Sequence, residues 1–421
     1  MAESRLRGHS DFTKLWFGQT VSNFGDRISR IALPTIAIVD LHRGAFEVGV
    51  LALLGALPFL LLSPIAGAWI DRVSRRSVLI LADLGRLVVL ATVPVAYWLD
   101  VLSMAHLFVV AGLTAILTVF FEVAYQAYLP SLVGRDAIME GNQKLQISRS
   151  MATVGGAAAG GGLMQAVGNA VAVLVDALSF LVSLVAVVLI KHREPEPEKT
   201  PGAKGGGVLG GMRDGFGTVL GDGRLRNLML STTLVNLASG VATPLVLLYA
   251  YQEASLSQVE VGIAFAGAGI GMILGGVLAK KVAAIVTVSG ALALSIVMVG
   301  VAILVLPIAG VSLALVALIV SQFLLGFAYS VYQIHVLSLV QTLVPVEMLG
   351  RVNGAALSVV WGMAAFGGVL AGVLGSTVGV RLSLVIAGVM ATVSVLCILL
   401  SPLRAVRDLQ GQESAKVPAK A

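Results

Sequence analysis

The chain is poor in charge, in aromatic rings and in cysteine. Of its 421 residues only 12% are Asp, Glu, Lys or Arg, 6% are aromatic, and one, Cys397, is a cysteine. A single thiol excludes a disulfide scaffold and a cysteine-built metal cluster. So little charge leaves too little polar surface to coat a water-soluble globule, while 57% hydrophobic residues exclude disorder. Three enzyme signatures are missing: H-E-x-x-H, the phosphate loop GxxxxGK[ST] and G-x-S-x-G. No enzyme is therefore expected, and no cofactor or metal. Without a phosphate loop, ATP is not the direct energy source, which leaves an ion gradient as the natural driver.

What is present is long apolar sequence, with a mean hydropathy of +0.96. At about 20 apolar residues per helical crossing, the expected spans are 15–39, 46–70, 77–99, 104–128, 145–168, 170–190, 225–251, 258–279, 282–306, 311–340, 352–378 and 381–401. These runs lack period-two alternation, so a β-barrel is not expected. No cleavable signal peptide is read at the polar start Met1–Lys14. The fold class is an all-α integral membrane protein of twelve transmembrane helices.

The net charge of +6 reflects orientation rather than a nucleic-acid partner. By these spans, 23 of the 28 Lys and Arg residues fall on one side, which the positive-inside rule makes cytoplasmic. Both termini and the connector 191–224 are then cytoplasmic. The connector divides the chain into a six-helix half 1–190 and a six-helix half 225–401, followed by a tail 402–421. An internal repeat accompanies the division: Leu132-Val133 and Asn142 match Leu343-Val344 and Asn353 at an offset of 211, as do Gly156 and Gly367, Gly161 and Gly372, and Leu163 and Leu374. Duplicated six-span halves suit a transporter that rocks about a central site.

The loop after span two reads Gly67-Ala-Trp-Ile-Asp71-Arg72-Val-Ser-Arg75-Arg76. This G-x-x-x-D-R-x-x-R-R string resembles the signature of the major facilitator superfamily, as do the span count and the halves. The resemblance implies two pseudo-symmetric six-helix halves in a monomer. It also implies a cytoplasmic gate formed by Gly67, Asp71, Arg72, Arg75 and Arg76, which latches the halves while the pore faces outward; Gly67 would allow close helix approach. The alternative is that the arginines only obey the positive-inside rule. The second-half counterpart, Gly276 to Lys280-Lys281, keeps the glycine and lacks the acid. Three stretches resemble the drug- and siderophore-exporter branch, which includes macrolide-efflux proteins and the enterobactin exporter: Gly25-Asp26-Arg27 with Arg30 and Pro34, Leu129-Pro130-Ser-Leu-Val133, and Asp176-Ala-Leu-Ser179-Phe180. This resemblance implies a bacterial plasma (inner) membrane. Gly155, Gly156, Gly160, Gly161 and Gly162 resemble the family's antiporter motif, with Ala157 in place of its proline. Close helix packing alone would also account for these glycines.

Charge at a helix centre costs about 2.5–3.5 kcal/mol on insertion scales, so an ionisable residue inside a span is a functional candidate. Asp26 and Arg30 are spaced for a helical pair, as are Asp83 and Arg86. In the fold that the resemblance implies, the first and fourth helix of each half line the cavity. This makes Asn23, Arg27, Arg30, Gln126, Asn236, Tyr329, Tyr332 and Gln333 the substrate-binding candidates, and Asp26 and Glu122 the proton-coupling pair. A carboxyl in a dry cavity has its pKa raised, as proton coupling requires. Asp26 could instead be a static salt bridge, and Glu122 part of the inner latch with Arg72 or Arg75. Asp176 reads as structural and His335 as a packing residue. The expected function is proton-coupled export of small amphipathic or hydrophobic molecules by alternating access. The alternatives are an uptake or uniport carrier for an anionic metabolite or lipid, and a non-transporting membrane scaffold or sensor. The expected partners are a small-molecule substrate, protons and the lipid bilayer, with no nucleic acid.

Overall fold

A computed structural model describes residues 9–70, 73–133, 137–192 and 208–405. Among them there is no strand, and the helices follow in the order α1 Ser10–Thr35, α2 Ala45–Ile70, α3 Arg75–Trp98, α4 Met104–Val133, α5 Ile138–Val167, α6 Asn169–Val188, α7 Val208–Gly221, α8 Gly223–Leu248, α9 Gln258–Ala309, α10 Ala314–Leu343, α11 Val346–Thr377, α12 Val380–Val393 and α13 Leu396–Leu399. Nine helices among the described residues are long and apolar enough to cross a bilayer. The charged helices α1 and α5 fall outside that set. Within the best window of each of the nine, only 28–56% of the residues are buried inside the protein. The remaining apolar surface, including Leu81, Ile263 and Val277, is exposed. Water would penalise that surface and acyl chains accept it. Helices satisfy their own backbone hydrogen bonds, the condition for crossing hydrocarbon.

The chain divides into two compact units. Unit 1 comprises 1–204 and 247–266, and unit 2 comprises 205–246 and 267–421. The segment Leu247–Ala266, which the sequence places in the second half, therefore packs with the first six helices. A second difference concerns α9. The sequence predicts a loop at Lys280-Lys281, but the helix continues past both lysines. Its 52 residues would span about 78 Å at 1.5 Å per residue, more than twice the hydrocarbon core. The helix is instead broken at Thr287 (φ 70°, ψ 169°) into two limbs.

The duplication goes further in the backbone than in the side chains. α1 passes Pro34 into a π-helical turn, Ile36–Asp40, and α8 passes Pro244 into another, Tyr249–Glu253. Proline removes a backbone donor, and wider turns of this kind mark functional segments of helices. Each turn is followed by a residue at positive φ, His42 (51°) and Ser255 (52°). The last long helix of each half starts from a glycine at positive φ, Gly168 (92°) before α6 and Gly379 (85°) before α12, again 211 residues apart. Only glycine takes that conformation without strain.

In unit 1, α1 lies between α5 and α6, α3 packs on α4 and α6, and α2 packs on α4. One apolar core joins these helices through Phe12, Leu79, Phe121, Tyr128 and Val187. The α1–α6 seam is built on small residues. A Cβ at Gly18 would lie 2.8 Å from Ala186 Cβ, and one at Gly25 would collide with Asp176 Oδ1 and Ser179 Oγ. Helices in lipid associate through such close backbone approach. In unit 2, the short helix α7 docks on the start of α11 through Gly215, which lies against the Arg351 backbone, and through a 2.8 Å ion pair from Asp214 to Arg351.

Candidate functional site

Two groups of ionisable side chains lie among the helices of unit 1. At the first, Asp83 and Arg86 on α3 form the ion pair that their spacing predicts, with both side chains buried. The Arg86 guanidinium is held between two rings, 4.1 Å from the centroid of Phe121 and 4.2 Å from that of Phe180. Guanidinium is planar and weakly hydrated, so aromatic faces can take the place of water around it. Asp176 lies in the same interior and accepts a 3.1 Å hydrogen bond from Ser179 Oγ. Gln19 of α1 donates to Ser183 of α6 at 3.0 Å. Asp26 acts electrostatically on both Asp83 and Asp176. The exporter-like stretches Gly25-Asp26-Arg27 and Asp176 to Phe180, far apart in sequence, thus meet at one seam. The expected Asp26–Arg30 pair is not made: no ion pair joins them, and Arg30 is exposed. Spacing along α1 allows that pair, but Asp26 is half-buried beside the acids of α3 and α6, which repel it, and Arg30 is exposed.

At the second place, Glu122 of α4 pairs with Arg149 of α5 at 3.2 Å. Of the alternative latch partners, Arg75 is engaged elsewhere and Arg72 lies outside the described residues. The described arginines of the loop motif bind helix carbonyls instead. Arg75 Nη1 donates to Ala127 O at 3.2 Å, and Arg76 donates to Val187 O at 3.3 Å and Val188 O at 2.7 Å. Cations favour helix C-terminal carbonyls, where the backbone dipole is negative, and Val187 and Val188 lie at the end of α6. Asp71 and Arg72 lie outside the described residues. A Cβ at Gly67 would meet nothing within 4 Å, so the close helix approach expected there is absent.

The glycines of α5 make such approaches. A Cβ at Gly155 would lie 2.9 Å from the Phe24 ring, one at Gly156 2.8 Å from Arg27 Cβ, and one at Gly160 3.3 Å from Ile28 Cα. Gly161 faces the start of α9, where its Cβ would lie 2.8 Å from Gly262 Cα. Around that crossing the segment Leu247–Ala266 is tied to the six helices by polar contacts that the sequence did not reveal. Tyr251 OH meets Thr35 Oγ1 at 3.1 Å, Gln258 donates to Asn169 at 3.2 Å, and Asn169 donates to Asp40 at 2.8 Å. Gln165 Oε1 accepts from Val259 N at 3.1 Å. At the end of the π-helical turn, burial pushes the Asp40 carboxyl up from its ordinary value, and the Asn169 hydrogen bond works against that shift.

Of the other unit 1 candidates, Asn23 and Arg27 are half-buried and Gln126 is exposed. In unit 2, Tyr332 is buried between α10 and α8, with its hydroxyl 2.7 Å from Thr232 Oγ1 and 3.3 Å from Ser231 Oγ. It therefore serves the helix seam. Asn236 donates to the Thr232 carbonyl of its own helix at 2.8 Å, and His335 Nδ1 lies 2.7 Å from Val331 O. Tyr329 and Gln333 are exposed and 3.4 Å apart. Gln333 opens onto a cavity of about 380 Å³ between α8, α10 and α11. Its wall is apolar, formed by Leu228, Met229, Val336, Val340, Leu357 and their neighbours. Three polar side chains interrupt it, Thr232, Gln333 and Asn353, and none of the lining residues is charged. Asn353 was visible in sequence only as a member of the internal repeat.

Known proteins place this architecture. A family model described as a transmembrane secretion effector matches residues 5–421. The chain is 25% identical over 407 residues to the uncharacterized MFS-type transporter YfiS of Bacillus subtilis, covering 92% of each protein. It is 26% identical over 377 residues to the multidrug efflux pump Tap of Mycolicibacterium fortuitum, covering 87% of this chain and 89% of Tap. Among solved structures, the nucleoside transporter NupG superposes with a TM-score of 0.74 at 13% identity, over 93% of this chain and 98% of NupG. The inward-facing, unoccupied bacterial homologue of the human lysosomal transporter Spinster gives 0.70 at 17%, over 98% and 99%. At these identities the structures speak for the fold alone. The chain is a multi-pass membrane protein and belongs to the transmembrane secretion effector family of major facilitator transporters.

Proposed function

We propose that this transporter is a proton-coupled exporter of small amphipathic or hydrophobic molecules, working by alternating access with both termini in the cytoplasm. Twelve crossings follow if α1, α5 and the two limbs of α9 are counted with the remaining long helices. The observation that carries the substrate class is the unit 2 cavity. Its volume lies within the range of about 300–1,000 Å³ typical of small-molecule sites, its wall is apolar, and its polar groups are neutral hydrogen-bonding ones. Such a lining desolvates an apolar body at little cost and fixes its orientation through one or two hydrogen bonds. It penalises a strongly hydrophilic or multiply charged cargo. The multidrug efflux pump Tap, similar over most of both chains, supports export as the direction.

Coupling is assigned to the carboxylates of unit 1, Asp26 first and Glu122 second. Glu122 and its partner Arg149 are each about one-third exposed, at 34% and 39%. Their pair therefore contributes little to stability, and the acid is available to water. In this reading the Gly67–Arg76 loop is the cytoplasmic gate, and the 247–266 segment with the α5 glycines is the opposite one. The test is efflux from a drug-sensitive bacterial host. Expression is expected to reduce retention of a lipophilic dye such as ethidium, and Val340→Trp, which fills the cavity, is expected to abolish that effect with the protein still in the membrane. Unchanged efflux by Val340→Trp would remove the cavity from the substrate path.

A further inference from the structure

Unit 1 has three carboxylates around one guanidinium. Asp83 (0% exposed), Asp176 (1%) and Arg86 (2%) are buried inside the bundle, and Asp26 is half-buried beside them. The charged neighbours acting on Asp83 are Arg86 and Asp26, and those acting on Asp176 are Asp26 and Arg86. The faces turned toward the group by the other packed helices are neutral: Phe121 from α4, Phe180, Ser179 and Ser183 from α6, and Gln19 from α1. Arg86 can balance one carboxylate. With all three ionised, the group would carry a net charge of −2 in an interior where each unpaired ion costs several kcal/mol. Buried carboxyls escape that cost by taking up a proton. The hydrogen bonding leaves room for one: Oδ2 of Asp83, a buried acceptor, makes no hydrogen bond.

We propose that Asp26, Asp83 and Asp176, gathered around Arg86, form a proton-binding site, with Asp26 the member that exchanges protons with water. The site deepens the coupling reading above and rests on it for its role in transport. It assigns a proton-holding function to two residues, Asp83 and Asp176, that otherwise read as a static pair and a structural acid. Loading converts one carboxylate to a carboxyl and changes the charge of the cluster by one. That change falls on the α1–α6 seam, where Gly25 lies directly against Asp176 and Ser179 and leaves no slack for a side chain. A change of charge beneath so close a contact acts directly on α1. α1 also carries Asn23, Arg27 and Arg30, so proton occupancy is transmitted to the candidate substrate face.

The test is infrared difference spectroscopy of the full-length protein in liposomes. An ordinary aspartate, with a pKa of about 3.9, is ionised at pH 7 and contributes no carboxylic-acid C=O band. The wild type is expected to show such a band at pH 7, and Asp83→Asn and Asp176→Asn are each expected to weaken or remove it. Absence of the band in the wild type overturns the proposal, and that measurement needs no variant to fold. A band unchanged in both variants overturns it as well. Ethidium flux under an imposed pH gradient in the same liposomes separates the two readings. A band without flux contradicts the exporter and leaves the proton site standing, whereas flux without a band removes the site alone.

Discussion

Arg86 is the side chain on which the interior of unit 1 turns. It neutralises Asp83 and occupies the space between Phe121 and Phe180 with its planar face. Arg86→Ala would leave a buried carboxylate unpaired, a change that costs about 3–5 kcal/mol. A large drop in thermal stability of the detergent-purified protein is the expected result. Arg86→Lys keeps the charge but not the plane, so only part of the loss should be recovered; full recovery would show that stacking contributes nothing. Glu122→Gln should behave differently. Its partly exposed ion pair is worth about 0–1 kcal/mol, so stability should barely change while gradient-driven efflux falls. A melting temperature lowered as much as by Arg86→Ala would make Glu122 structural. At this scale the sequence was informative where partners sit on one turn, as for Asp83 and Arg86. It was uninformative where they sit on different helices. Nothing in the residues around Glu122 points to Arg149, and nothing around Asp26 points to Asp83 or Asp176.

At the scale of helices, the apolar windows located the elements because hydrocarbon imposes a length and a composition. Their ends were less legible, since a helix stops where its backbone geometry fails rather than where charge first appears. α9 runs through Lys280 and Lys281 and breaks at Thr287. The glycines of α5 were read as packing residues, and the contacts of Gly155, Gly156 and Gly160 with α1 are of that kind. The partner of Gly161, Gly262 in the next half of the sequence, was not foreseeable from periodicity. That crossing gives a direct prediction. Gly161→Val and Gly262→Val should each force the two helices apart, because a Cβ at either position would lie 2.8 Å from the Cα of the other. Each is expected to lower both dye efflux and the melting temperature of the purified protein. Wild-type efflux and melting temperature in both variants would mean that this crossing carries neither packing nor transport.

For the molecule as a whole, the duplicated design is visible in sequence as a 211-residue offset and in the backbone as paired π-helical turns and paired positive-φ glycines. The chemistry is not duplicated. Unit 1 holds the buried acids and Arg86, whereas the unit 2 cavity is lined by apolar and neutral side chains. Such a division suits a machine in which one half binds protons and the other an apolar cargo, with alternating access linking them. The cavity itself was only partly legible, through Gln333. Its walls are ordinary Leu, Val and Met residues, whose role depends on where three helices splay apart.

The most direct measurement is ethidium movement in inside-out membrane vesicles with an acidified lumen. The account predicts dye accumulation that collapses when nigericin dissipates the gradient and that is lost in Asp26→Asn, with the variant protein present and folded in the membrane. Accumulation indifferent to nigericin, or unchanged in Asp26→Asn, would contradict it.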